Sequence, residues 1–180
     1  NVMKKTLLGS AAILVLATTS TFAAEKEFPA KLVSQAVLPA NTIIAAPADA
    51  PEHLKTSGKF TTADRKRAEG LGTVAGKDGV RKTGLSMPFA GQAMQGFSGI
   101  KTMGDGTFWS LSDNGFGSKS NSSDSMLMLH HLKIDWANSK VEPQETVFLS
   151  DPDKKAPFPI VMKGSEKRYL TGADFDVESI

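Results

Sequence analysis

An all-β fold is predicted by three features of the chain. Residues 96–112 read as two short apolar strand patterns joined at Gly104-Asp105-Gly106, where the glycines supply the positive φ of a tight turn and Asp105 bonds back to nearby backbone. Residues 126–136 alternate as a strand, turn at Ala137-Asn138-Ser139 and return as a strand over 141–149. On the strand after the first turn, Thr107, Trp109 and Leu111 share one face and Phe108, Ser110 and Ser112 the other. Both faces carry bulk, so the strand belongs inside a stacked architecture with Trp109 in its core. The two hairpins together suggest one antiparallel blade.

From the N-terminus, Met3-Lys4-Lys5 opens a basic region, residues 7–16 form an apolar core, and Thr21-Phe22-Ala23 is a small-x-small site. Residues 1–23 therefore read as a cleaved secretory signal, with cleavage after Ala23 and a periplasmic or secreted destination. The apolar core falls short of the roughly 20 residues a membrane span requires, so no membrane association is expected after cleavage. Absence of Cys excludes a lipid-anchored cysteine and disulfide staples. Removing residues 1–23 takes away two lysines and no acids, so the formal charge falls from +2 to zero and no nucleic-acid partner is expected.

Residues 24–90 read as an extended or peripheral lead-in. Strand-like stretches at 31–38 and 42–46 are interrupted by Pro39, Pro47 and Pro51, which central strands exclude. Residues 58–82 are polar, and Asp64-Arg65-Lys66-Arg67-Ala68-Glu69 mixes both signs as a solvated surface does. The strand-rich part begins near Gly91, and Pro143 is placed at an edge or bulge. A proline- and charge-rich connection over 151–159 precedes two further expected strands, 160–162 and 168–180.

GFSGI at 96–100, DGTFWSLSDNGFG at 105–117 and LTGADFDVESI at 170–180, in this order and spacing, resemble the exported bacterial phytase-like family, the esterase-like activity of phytase. The resemblance spans residues 91–180 and implies a β-propeller-like fold and a hydrolytic, phosphoester-directed role. Four or more blades of about 40 to 50 residues exceed a chain of this length, so residues 91–180 are expected to be the N-terminal portion of the domain, truncated at the C-terminus.

The sharpest chemical signal is Asp174-Phe175-Asp176-Val177-Glu178. Strand alternation sets the three acids on one face and Phe175 with Val177 on the other. Such a face repels itself unless something positive sits on it, and hard oxygen ligands at this density suit Ca²⁺ or another divalent cation. A solvent-facing acidic strand paired with Lys or Arg is the alternative, and the family resemblance tips the reading toward function, chiefly for Glu178. Asp113 and Asn114 stand at a strand end beside glycines, where Asp113 either adds a ligand at the same rim or caps a turn. The Ser- and Asn-rich loop that follows offers Asn114 and Ser118 as substrate contacts, and Asp105 and Asp124 read as turn residues.

Three tempting motifs fail. Residues 96–100 imitate a nucleophile elbow but place Ile100 where glycine is needed. Residues 71–78 depart from a phosphate loop at Leu71 and Asp78. His130 and His131, adjacent on a strand, point to opposite faces and cannot ligate one metal.

The function expected is an exported hydrolase of a small-molecule phosphate or other ester, assisted by a divalent cation held by Asp113, Asp174, Asp176 and Glu178. No nucleophile or general base is assigned. The alternative is a non-catalytic periplasmic or surface propeller whose acids tie loops around structural Ca²⁺.

Overall fold

The computed structural model describes residues 27–60, 72–75, 82–162 and 165–180. The chain divides into two compact units, Asn1–Leu32 and Val33–Ile180, and every element named below lies in the second. The signal-peptide reading of residues 1–23 and the charged run at 64–69 lie outside the described residues.

The chain is mostly β, with helix limited to single 3-10 turns at Glu52–Leu54 and Lys119–Asn121 among the described residues. Strands β1 (Ile43–Ile44) and β4 (Gln92–Ala93) form one antiparallel pair, and β2 (Gly72–Ala75) and β3 (Lys82–Met87) another. The principal element is a four-stranded antiparallel meander of β5 (Phe97–Thr102), β6 (Thr107–Ser112), β7 (Met128–Asp135) and β8 (Lys140–Phe148), in sequential order. Both predicted hairpins are present.

Local chemistry explains each turn. Gly104 and Gly106 take φ values of 82° and 86° between β5 and β6, and Asp105 Oδ1 accepts from the Thr107 amide (2.9 Å) and hydroxyl (2.6 Å). Between β7 and β8, Asp135 accepts from the Asn138 amide (3.0 Å) and side chain (2.7 Å). The β7–β8 register slips between His131 and Leu132, whose partners are Glu145 and Pro143. Pro143 thus sits beside a bulge, as its missing donor requires.

Trp109 differs from expectation. It is half-buried, stacked on its cross-strand partner His131 with ring centroids 5.0 Å apart, while Leu111 is the residue of that face that is fully enclosed. The reason is register: Trp109 lies opposite Lys101 and two residues from the Thr107–Lys133 pair, so its cross-strand neighbours are polar side chains and not a closed apolar core.

Two further differences concern strands. Residues 31–38 form none; Val37 alone bridges to Lys140 at the outer edge of β8. Residues 160–162 and 168–180 are turns and irregular chain, joined by two isolated bridges, Tyr169 to Ser150 and Thr171 to Met126, to the chain just beyond β8 and just before β7. In the second of these segments the Asp174 carboxylate takes up the Val161 and Thr171 amides, competing with a strand ladder for backbone donors.

The main hydrophobic cluster gathers Ala50, Leu54, Met126, Met128, Met162 and Tyr169, with Ile44, Ala46, Phe148 and Val161 packed against it. Residues 44–54, expected to be peripheral, therefore carry part of the core. Gln92, fully buried, joins the parts: its amide donates to the carbonyls of Leu54 (2.8 Å) and Asp124 (3.1 Å) and its oxygen accepts from the Met126 amide (2.8 Å).

Candidate functional site

The β6–β7 connection and the segment 170–176 meet at one end of the meander, and of the predicted site residues Asp113, Asn114, Ser118, Asp174 and Asp176 belong to these two segments. Asp113 leaves β6 with its amide bonded to the Gly96 carbonyl (2.8 Å), and its Oδ1 accepts from the Gly115 amide (2.7 Å), closing an Asx turn. Asn114 is buried; its side-chain amide donates to Asp176 Oδ1 at 3.0 Å, and Ser122 Oγ lies 3.5 Å from its oxygen. Ser122 Oγ in turn donates to the Ser118 carbonyl (2.6 Å), fixing the loop around the short turn at 119–121.

On the opposite side, Asp174 organises a turn instead of a strand. It is 3% exposed, with Oδ1 accepting from the Val161 amide (2.8 Å) and Oδ2 from the Thr171 amide (2.8 Å) and hydroxyl (3.0 Å). Thr171 and Asp174 stand at the S/T-x-x-D spacing in which a side chain reaches back to cap a backbone donor. That spacing was the available signal for a turn at 171–174, and strand alternation concealed it. Gly172 completes the fit, since a Cβ there would fall inside the Asn114 carbonyl. Lys119 reaches across to the Asp174 carbonyl at 3.2 Å.

The expected single acidic face is consequently not formed by strand alternation, because residues 175–180 make no strand. Asn114 and Asp176 are brought together. Asp174 is enclosed, whereas Asp176 and Glu178 are exposed and Asp113 and Ser118 half-buried. Among the described residues, no three His, Cys, Asp or Glu side chains form a group able to hold a metal. The donor set is nevertheless entirely oxygen, the set that suits Ca²⁺ or Mg²⁺. In the same loop Asn121 Oδ1 and Ser123 Oγ are buried without a hydrogen-bond partner among the described residues. Asp113, Asp176 and Glu178 fit a cation in chemistry; Asp174, with both oxygens turned to N–H and O–H donors, fits least.

A hydroxyl–imidazole pair also emerged that the sequence did not disclose. His130 Nε2 is 3.1 Å from Ser112 Oγ and Nδ1 is 2.9 Å from Thr146 Oγ1, a relay across β6, β7 and β8. Burial pushes the imidazole down to about 4 from 6.5, so it is neutral. Ser112 and His130 are 3% and 0% exposed, and the Phe97 ring lies against the imidazole at 5.6 Å, which denies a substrate approach. The relay holds strands together. His131 faces the other way, as alternation predicted.

No curated protein and no solved structure matches the chain. The family model that does match is phytase-like, described as esterase-like activity of phytase; it covers residues 92–180, spanning the meander and both sides of the junction, and that segment is what the chain shares with the phytase-like family.

Proposed function

We propose that the chain is part of an exported hydrolase that cleaves phosphate or other esters with divalent-cation assistance at the junction of the β6–β7 loop and residues 170–178. The observation that carries this reading is the coincidence of the family match with that junction, where Asp113, Ser118, Asp176 and Glu178 keep polar groups at the surface while Asn114, Gly172 and Asp174 hold the two segments in place. The four-stranded meander supports reading the sheet as one blade of a β-propeller.

A cation would draw its ligands from among Asp113, Asp176 and Glu178, which the structure does not gather into a single three-carboxylate group, and when bound it would supply positive charge to an ester oxygen. The chain's own groups position the rest. Asn114 fixes the Asp176 carboxylate, and the Ser118 hydroxyl and Lys119 lie on the same loop to meet a polar substrate.

The test is turnover of p-nitrophenyl phosphate and p-nitrophenyl butyrate by the secreted protein, with and without EDTA. Activity should vanish with chelator while the β-sheet circular dichroism persists, and Asp113→Asn and Asp176→Asn should each lower it by about ten- to a hundredfold. The second reading, a non-catalytic periplasmic or surface binding module with structural Ca²⁺, is favoured by Asp174 and Asn114, whose polar groups serve the fold itself. Absence of turnover, with a melting temperature that still rises on adding Ca²⁺, would establish it.

A further inference from the structure

A cavity of about 340 Å³ opens beside the 170–176 segment, and none of Asp113, Asp174, Asp176 and Glu178 lines it. Its walls are apolar: Pro157, Leu170 and Phe175 line it, and the Phe158 ring, 39% exposed, leans on Phe175 with centroids 5.1 Å apart. Apolar walls left open to solvent in this way are the mark of a binding surface when a charge stands at the rim to orient a ligand.

The charges at the cavity do not cancel. Asp151 is buried and fully engaged: it accepts from the Lys155 amide (2.6 Å), the Ala156 amide (3.2 Å) and the Arg168 guanidinium (3.1 Å), while Arg168 Nε donates to its carbonyl (2.8 Å). Burial alone would push its carboxyl up, but these donors together hold it below the usual carboxylate value. Asp151 and Arg168 therefore neutralise one another. The Lys155 side chain lines the cavity and is exposed, and it has no ion-pair partner among the described residues. Apolar walls with one uncompensated ammonium complement a molecule with an apolar body and a single negative charge.

We propose that this cavity binds a small aryl or acyl carboxylate, its apolar part against Leu170 and Phe175 and its carboxylate on Lys155. A monoanion is the matching charge, because a second negative charge would sit beside Asp151 without a cation to meet it. The inference does not depend on hydrolysis at the junction and is read by binding alone.

The full chain, labelled with ¹⁵N, is titrated with 4-phenylbutyrate and with its neutral counterpart 4-phenylbutan-1-ol. Saturable shifts centred on the amides of Ala156, Leu170 and Phe175 are expected for the carboxylate, with the alcohol about three- to fivefold weaker. Lys155→Gln, a substitution at an exposed side chain, should weaken the carboxylate by the same factor and leave the alcohol unchanged. Shifts that grow linearly or scatter over the surface would overturn the proposal. So would equal affinity for the two probes, or unchanged affinity for the carboxylate in Lys155→Gln.

Discussion

Gly172 and Asp174 show how the family's LTGAD run works at the level of single atoms. A methyl group at 172 would meet backbone, the Asn114 carbonyl and carbon, and backbone cannot swing aside as a side chain does. Gly172→Ala should therefore cost about 1–3 kcal/mol through overpacking, read as a lower urea midpoint with unchanged slope. Gly104→Ala, in open space on the β5–β6 turn, should lose only about 1–2 kcal/mol from its left-handed backbone. Asp174→Ala strands the donors of buried Thr171 and half-buried Val161 and should cost about 1–3 kcal/mol, and Asp174→Asn, which keeps an acceptor, should cost less. If Asp174→Ala were as stable as the parent chain, the capped turn would not be what secures this segment.

Among the elements, the meander owes its pH response to His130. Its cross-strand neighbours on that face are Ser110 and Ser112 from β6, Thr146 from β8 and the Phe97 ring from β5, none of them charged; Glu145 pairs with His131 on the other face. The unfolded chain takes up a proton near pH 6.5 and the folded one only near 4. The contribution is thus fully present above pH 6.5 and falls away as pH drops from 6.5 to about 4. The loss over that window should be about 3 kcal/mol. Denaturant melts between pH 7 and 4 should show this slope, and His130→Gln should flatten it. The β8 edge is bridged at its start by Val37, while on the opposite edge β5 leaves Phe97 and Ile100 exposed, as is Met103 just after it.

At the scale of the whole molecule, residues 44–60 are bound to the segments that follow by several independent ties. Leu54 lies in the hydrophobic cluster, Gln92 bonds the Leu54 carbonyl, Asp124 accepts from the Lys59 amide (2.9 Å), and Asp49 accepts from the Tyr169 hydroxyl (2.7 Å) while pairing with Lys167 (2.7 Å). Leu54→Ala should destabilise the chain by about 2–5 kcal/mol, measured by thermal or chemical denaturation. A near-neutral effect would return residues 44–54 to the role of a loose lead-in. Among the described residues no helix is long and apolar enough to cross a membrane.

The sequence by itself determined the β character, both hairpins and their turns, an edge or bulge at Pro143, the opposed faces of His130 and His131, and the resemblance to the phytase-like family. These rest on local rules: alternation, turn residues and the missing proline donor act over a few positions and survive in any context. Tertiary structure decided what the Thr171-x-x-Asp174 spacing only hinted, that 168–180 is not a strand, and it alone decided that Trp109 is half-buried against His131, that Ser112, His130 and Thr146 meet, and that Leu54 and Gln92 belong to the core. Most of these depend on partners more than ten residues apart in the chain. An acidic run reads the same whether its carboxylates face a cation or cap backbone amides, and only the Val161 and Thr171 donors reveal which of the two Asp174 does.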